Sequence, residues 1–205
     1  MIRVRHISGD ATRTQTPPPV KIQGEAHEYR VRVYTGDVAA SMRPATLDAL
    51  LGSCVAVCLY DPRLRAGGMN HILLPGGCQD CTGTRFGVHA MEMLINEMMK
   101  QGADRRRFVA KAFGGANVLP GLVTATIGDD NANFVREFLA TERIPLIAER
   151  LGGNHAVHLH FNTDTGKAVV RTVDGSRLPK IIHAETSYWR SHLADKYVSG
   201  EITLF

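Results

Sequence analysis

Two residues of the sequence have the types and the setting for nucleophilic chemistry, Cys54 and His71. Cys54 follows a glycine and a serine and precedes a run of strand-forming residues that begins at Val55, so we expect its thiol at the mouth of a strand, where a substrate can reach it. A thiol with the ordinary pKa of about 8.5 is mostly protonated at neutral pH, and a neighbouring imidazolium lowers that pKa by several units. The same imidazole can then protonate a leaving group. The pair therefore predicts cysteine-based catalysis, although either residue alone would more often be a buried structural side chain.

The distance between the two side chains depends on a predicted hairpin. Residues 55–60 and 69–74 are rich in strand formers, and the segment 61–68 between them is dense in turn formers. The numbers of facing residues in such a hairpin add to a constant near 125 to 128. Cys54 and His71 are then directly opposite or one diagonal step apart, about 5 to 8 Å between their Cβ atoms. An odd offset would instead place them on opposite faces of the sheet.

A second cysteine motif suggests a different chemistry. Cys78 and Cys81 have the C-x2-C spacing of half a zinc site or of a redox pair. Together with Cys54 and Cys58 they would supply four thiolates, but residues i and i+4 of a strand lie about 13 Å apart and cannot share a tetrahedral ion. We therefore keep a zinc domain as a third interpretation and expect no metal and no cofactor, with Cys78 and Cys81 as surface thiols.

Two further motifs are interpreted as structural. Residues 112–117, Ala-Phe-Gly-Gly-Ala-Asn, predict a tight loop at a strand exit, whose glycines let another part of the chain approach closely. No Lys-Ser/Thr follows, so this is not a phosphate loop. His155, His158 and His160 have no nearby carboxylate triad and are interpreted as a surface strand face.

The composition indicates one folded domain with a tail. The chain has 205 residues, 44% of them hydrophobic, and a net charge of +4, which suits a globular domain that needs no disulfides and gives no sign of nucleic-acid binding. No segment reaches the roughly 18 apolar residues of a membrane span, and no secretory signal is present, so we expect a cytoplasmic protein with reduced thiols. Residues 1–28, with their Pro-Pro-Pro run, are predicted to be a flexible tail, and residues 29–205 a single domain.

The hydrophobic patterns of this domain predict more strands than helices. The expected strands are 30–34, 55–60, 69–74, 108–113, 144–148, 156–161 and 167–173, and the expected helices are 88–100, 131–141 and 183–197. Pro145 would confine its strand to a sheet edge, and Asp129 or Asp130 would cap the second helix. Because hairpins dominate, we predict an α+β fold with mostly antiparallel sheets packed against two main helices.

Several motifs together resemble the CheD family of chemoreceptor glutamine deamidases. They are residues 51–61 (L-G-S-C-V-A-V-C-L-Y-D), 67–75 (G-G-M-N-H-I-L-L-P), 110–117, 127–128, 131, 134–135, 151–153 and 200–205. The most specific part is the seventeen-residue spacing from Cys54 to His71, with Gly-Ser before the cysteine and Asn before the histidine. The likeness covers residues 29–205 and leaves the tail outside.

The resemblance implies a protein-glutamine deamidase that acts on the cytoplasmic part of methyl-accepting chemotaxis receptors. Carried over, Cys54 is the nucleophile that forms a thioester and His71 is the base and acid. The implied fold is an α/β sandwich similar to that of the deamidating cytotoxic necrotizing factor toxins. The resemblance also allows an alternative, a mainly non-catalytic adaptor that binds and stimulates a CheC-type phosphatase. Neither interpretation involves nucleic acid or membrane insertion.

The supporting residues of the site are predicted less directly. Backbone N–H groups around Ser53 and Cys54 are candidate oxyanion donors. Gly52 before them and Asn70 before the histidine are further supporting candidates. The family usually carries a threonine five or six residues before the nucleophile to orient the histidine, but Asp48 and Ala49 stand there in this chain. The nearest threonine is Thr46, so either Thr46 or Asp48 takes the orienting role, or the activity is reduced.

Overall fold

The computed structural model describes residues 2–6, 29–74, 81–118, 127–174 and 178–188. Its elements in these ranges are β1 (Arg3–His6), β2 (Tyr29–Arg32), β3 (Asp37–Ser41), β4 (Ala45–Leu51), β5 (Val55–Asp61), β6 (Ala66–Ile72), α1 (Cys81–Lys100), β7 (Val109–Gly114), α2 (Ile127–Thr141), β8 (Leu146–Leu151), β9 (Val157–Asn162), β10 (Ala168–Thr172) and α3 (Leu178–Tyr188). A single 3-10 turn, Arg105–Arg107, precedes β7.

The strands form two sheets, and the two longer helices cover one of them. One sheet has the order β1-β3-β6-β5-β7-β8 and the other β10-β9-β4-β2. Helix α1 contacts β3 and β6, while α2 contacts β5, β7 and β8, so helices, six-stranded sheet and four-stranded sheet lie in three layers. Among the described strands only β2–β4 and β7–β8 pair in parallel. The predicted α+β sandwich is confirmed.

Strand β5 lies at the centre of this arrangement and is buried on both faces. Val55, Val57 and Leu59 belong to the core between the helices and the six-stranded sheet. Cys54 and the alternate residues Ala56 and Cys58 belong to the core between the two sheets. A strand covered on both sides needs a continuous apolar run, which is why residues 55–60 were recognisable as a strand.

The two glycines before Met69 lie within a strand, not in the turn as expected. Strand β6 begins at Ala66 and includes both glycines. A Cβ on Gly67 would come within 2.8 Å of the Phe161 ring, and one on Gly68 within 2.8 Å of Leu94. These glycines are needed for close packing of the layers, which the sequence alone does not distinguish from turn formation.

The first described strand lies within the segment 1–28 that was predicted to be a flexible tail. Arg3–His6 pairs antiparallel with β3, and Arg5 Nε lies 3.3 Å from the buried Glu97 carboxylate on α1. This strand is specified by distant partners, so its four residues carry little local pattern. Residues 7–28 lie outside the described residues, and their flexibility stays a prediction.

Other element boundaries differ by a few residues. Helix α2 begins at Ile127, so Asp129 and Asp130 lie in its first turn rather than at its cap, where a carboxylate still interacts favourably with the helix dipole. Helix α3 begins at Leu178, five residues before the expected start, and the remainder of the predicted terminal helix lies outside the described residues. Strand β8 lies at a sheet edge, as Pro145 predicted. No described helix has the length and apolar character of a membrane span.

Candidate active site

The hairpin of β5 and β6 places Cys54 and His71 on the same face of the six-stranded sheet. Ala56 faces His71 and Val55 faces Ile72, so Cys54, one residue before the strand, is a diagonal step from His71. This is one of the two registers expected from the sequence. The shared face is the one turned towards the four-stranded sheet, because Cys54 and Ala56 belong to the core between the sheets.

Both nitrogens of the His71 ring contact the turn between β2 and β3. Nδ1 lies 3.0 Å from the carbonyl oxygen of Val33. A carbonyl only accepts hydrogen bonds, so Nδ1 carries the proton of the neutral ring and Nε2 is left as the acceptor. Nε2 lies 3.4 Å from Thr35 Oγ1, and the same oxygen lies 3.8 Å from Cys54 Sγ. The tautomer therefore presents a basic nitrogen on the side where the thiol lies.

The turn that contacts the ring is itself fixed to both sheets. Val33 N donates to Asp48 O at 2.8 Å on β4, and Gly36 N donates to the carbonyl of His71 at 2.8 Å on β6. Within the turn, Asp37 N donates to Tyr34 O at 2.9 Å, and Gly36 has the positive φ of 83° that favours glycine. The turn is therefore positioned by the same strand that carries the histidine.

The loop that follows β7 holds the backbone of the nucleophile loop at two points. Gly115 N donates to Cys54 O at 2.7 Å, and Ala116 N donates to Gly52 O at 2.7 Å. A Cβ on Gly114 would lie 2.2 Å from the Cys54 carbonyl oxygen. The loop 112–117 predicted from its glycines thus packs directly against the cysteine backbone.

Asn131 on α2 supplies the third support. Its Oδ1 accepts from Leu74 N at 2.8 Å, and its Nδ2 donates to Ser53 O at 3.1 Å and to Ile127 O at 2.8 Å. The side chain is fully buried. In the sequence, Asn131 stands out only as part of the family resemblance, because nothing local to it indicates a contact with residue 53.

Two of the predicted supporting residues do not lie beside the pair. Asn70 Oδ1 accepts from Val57 N at 3.0 Å, and its Nδ2 lies 3.3 Å from Ala90 O, on the helix side of the sheet. This follows from strand alternation, since neighbours in a strand point to opposite faces. Thr46 lies on β4 between Ala45 and Leu47, and Leu47 points into the gap between the sheets, so Thr46 faces away from it.

Asp48, the other candidate for orienting the histidine, also faces away. Its Oδ2 accepts from Arg32 Nε at 3.1 Å and lies 3.2 Å from His158 Nε2. This places the carboxylate on the outer face of the four-stranded sheet. Both positions that the sequence favoured face away from the gap between the sheets. The hydroxyl that contacts His71, on Thr35, was missed because the turn at 33–37 is brought over the site only by pairing between distant strands.

The pair is enclosed, which differs from the expected accessible thiol. Cys54 is 0% exposed and His71 3% exposed. Tyr188, the last residue of α3, belongs to the same buried cluster as Cys54. Burial raises the pKa of the Tyr188 phenol, and the nearby Cys54 and Asp37 raise it further. A substrate side chain can reach Cys54 only after a covering group moves.

The second cysteine motif lies largely outside the described residues. Cys78 and the side chain of Cys81 are among the residues not described, so the four-thiolate alternative stays a prediction. Cys58 is fully buried on the same strand face as Cys54, and burial raises the pKa of its thiol. Within the described ranges no group of three or more His, Cys, Asp or Glu residues could hold a metal ion.

Comparisons with known proteins add independent information. The family model described as "CheD chemotactic sensory transduction" matches residues 73–172. The chain is similar to the "Probable chemoreceptor glutamine deamidase CheD" of Stenotrophomonas maltophilia, at 47% identity over 160 residues, covering 78% of this chain and 80% of that protein. A protein of the same name from Laribacter hongkongensis is 38% identical over 199 residues, covering 95% and 96%. Among solved structures, the hypothetical protein YfiH of Bacillus licheniformis covers 54% of this chain and 48% of that chain at 19% identity and a TM-score of 0.37, too weak a likeness to indicate a shared fold.

Proposed function

The chain belongs to the CheD family, whose curated relatives carry the name chemoreceptor glutamine deamidase, and we propose that Cys54 and His71 perform that reaction here. The observation that carries the proposal is the 3.0 Å contact between His71 Nδ1 and the carbonyl oxygen of Val33. A carbonyl only accepts, so the neutral ring carries its proton on Nδ1 and Nε2 is the basic nitrogen, on the strand face that also carries the thiol. The substrate is a glutamine side chain of a methyl-accepting chemotaxis receptor.

The reaction proceeds in two halves. His71 Nε2 accepts the thiol proton, and the Cys54 thiolate adds to the carboxamide carbon of the glutamine. The imidazolium then protonates the amine nitrogen as the C–N bond breaks, which releases ammonia and leaves a thioester. In the second half His71 takes a proton from water, the hydroxide adds to the thioester, and the thiol leaves with that proton. The sum is glutamine plus water giving glutamate plus ammonia.

The backbone around Ser53 and Cys54 is suited to stabilise the oxyanion of both halves. The carbonyls of residues 52, 53 and 54 are each bound by a donor from another segment, which fixes the peptide planes of the loop. Fixed planes keep the amide N–H groups aimed in one direction, and one well-placed oxyanion donor contributes about 10²- to 10³-fold in rate. We assign this role to the backbone of residues 52–54.

A mainly non-catalytic adaptor is the second candidate, and the enclosed thiol favours it. In this alternative the chain binds a CheC-type phosphatase and stimulates it, with Cys54 as a core residue. The two candidates predict different results, because an adaptor needs no turnover. Both place the chain in the cytoplasm, where the modified part of the receptors lies.

The test is deamidation of a receptor cytoplasmic fragment by the wild-type chain and by Cys54→Ala. We expect the wild type to release ammonia and to convert specific glutamines to glutamate. The ammonia is measured directly, and the conversion is measured by mass spectrometry. Cys54→Ala should lose at least about 10⁴-fold of that rate, because the covalent route disappears.

Cys58→Ala is the matched control, since it removes a thiol from the same strand face without touching the pair, and it should retain the activity. Ammonia release that persists in Cys54→Ala refutes the assignment. No turnover by the wild type, together with stimulation of a CheC-type phosphatase, supports the adaptor instead.

A further inference from the structure

We infer that Thr35 is the positioning residue of the proposed reaction, holding the His71 imidazole and the Cys54 thiol in register through its hydroxyl. This inference rests on the proposed function and names a residue that neither the sequence pattern nor the family relationship indicated. Thr35 takes the role for which the sequence favoured Thr46 or Asp48, which lie on the far face of β4.

The His71 ring is held at both of its nitrogens by one turn. Val33 O contacts Nδ1 at 3.0 Å and Thr35 Oγ1 contacts Nε2 at 3.4 Å, so two residues of one turn engage both nitrogens. The turn is itself fixed by Gly36 N, which donates to the backbone carbonyl of His71. A ring held at both ends cannot rotate away from the thiol without breaking one of these contacts.

The Thr35 hydroxyl also lies close to the Cys54 sulfur. Thr35 Oγ1 lies 3.8 Å from Cys54 Sγ, within the range of a sulfur hydrogen bond, and it lies on the same side as Nε2. Thr35 is half-buried, whereas Cys54 and His71 are 0% and 3% exposed. Thr35 is therefore a more exposed residue in contact with both members of the enclosed pair.

A hydroxyl group suits both protonation states of Cys54 and His71. It has one rotatable donor and two acceptor lone pairs. In the neutral state it accepts from the thiol, and its own proton can rotate away from Nε2 so that Nε2 receives the thiol proton. After proton transfer it donates to the thiolate and accepts from Nε2–H. An aliphatic side chain of the same shape offers neither contact, so the thiolate–imidazolium state would lose a hydrogen bond.

The experiment compares Thr35→Val with Thr35→Ser in the full chain. Two readouts are used, receptor deamidation and the pH dependence of Cys54 alkylation by iodoacetamide, resolved by site with mass spectrometry. We expect Thr35→Val to lower kcat by about 100-fold with little change in KM, because a misplaced catalytic group costs that much. Its alkylation midpoint should move to higher pH, whereas Thr35→Ser should stay within about threefold of wild type in rate and keep the wild-type midpoint.

Controls separate positioning from structural damage. Tyr34→Phe alters an exposed neighbour in the same turn and should change neither readout. Thr46→Val and Asp48→Asn should leave the alkylation midpoint in place. A midpoint that moves in either of these variants, or that fails to move in Thr35→Val, overturns the inference.

The alkylation readout needs no receptor, so it separates a failure of the proposed function from a failure of the positioning role of Thr35. A wild type that does not deamidate refutes the proposed function, whatever Thr35 does. A wild type that deamidates while Thr35→Val keeps both its kcat and its midpoint refutes the positioning role alone.

Discussion

At the scale of single residues, the cysteine depends on a glycine sixty positions away. Gly114 has a φ of +107°, and a Cβ placed on it would lie 2.2 Å from the Cys54 carbonyl oxygen, far inside van der Waals contact. The next residue, Gly115, donates its N–H to that same oxygen. Because both contacts are to backbone, no side-chain movement can relieve a substitution, and the nucleophile loop itself would have to shift.

Gly114→Ala is therefore expected to damage both activity and stability. We predict a loss of about 2 to 4 kcal/mol in the free energy of unfolding, from the strained φ and the backbone clash together. Deamidation should fall by about 100-fold or more in the protein that remains folded, because the thiol is displaced. Urea unfolding and kcat on a receptor fragment measure the two effects.

Gly102→Ala is the matched control for that substitution. Gly102 has a similar φ of +94°, but nothing lies within 4 Å of its Cβ position. It should lose only about 1 kcal/mol, the cost of the backbone conformation, and keep its activity. Equal effects of the two substitutions would show that φ strain, and not the contact with Cys54, decides the outcome.

At the scale of elements, the β5–β6 hairpin is closed by a buried carboxylate. Asp61 is fully buried, and it accepts hydrogen bonds from the Arg107 guanidinium and from backbone amides of its own turn. Burial alone would raise its pKa, but the hydrogen bonds from Arg107 and from three backbone amides outweigh this and lower the pKa from 3.8 to about 2. The turn that sets the Cys54–His71 register is thus tied to the segment before β7.

This depressed pKa predicts a pH window for stability. A carboxyl with a lower pKa in the folded state contributes stability above its unfolded pKa and loses it as the pH falls towards the folded value. Above pH 4 we expect the free energy of unfolding of the wild type to exceed that of Asp61→Asn by about 2 kcal/mol. This difference should shrink between about pH 4 and pH 2. Urea unfolding across this range measures it. Glu137→Gln, an exposed substitution, should show no such slope, and a constant difference for Asp61→Asn would contradict the assignment.

The secondary-structure elements also differ in how well sequence patterns predict them. The β5–β6 hairpin was predictable because its turn formers and apolar runs are local, and this was enough to pair Cys54 with His71. Strands β3 and β4 were missed because D-V-A-A-S and A-T-L-D-A-L-L are rich in Ala and Asp, which are depleted in strands. Both are held by neighbouring strands on each side. The Val33 carbonyl and the Thr35 hydroxyl depend on those two strands, so they were out of reach as well.

At the scale of the whole molecule, helix α3, the last described element, packs beside the nucleophile and its supporting loop. Ile181 in α3 packs with Ala116 and Val118, directly after the glycines that hold the Cys54 backbone. One end of the helix is therefore seated on the supporting loop, and its other end brings Tyr188 into the cluster that contains Cys54. The same helix thus contacts both the support and the surroundings of the thiol, so α3 is the described element best placed to control access to it.

If Tyr188 covers the thiol, then removing its ring should expose Cys54 without unfolding the protein. We predict that Tyr188→Ala raises the alkylation rate of Cys54 by about tenfold or more, because a local opening no longer has to displace the ring. Tyr188→Phe keeps the ring and should keep the slow rate. Cys58, buried in the middle of β5, should stay unreactive in all three proteins, since only global unfolding exposes it. An unchanged Cys54 rate in Tyr188→Ala would mean that another part of the chain covers the nucleophile, and faster alkylation of both cysteines would mean that the substitution loosens the sheet instead.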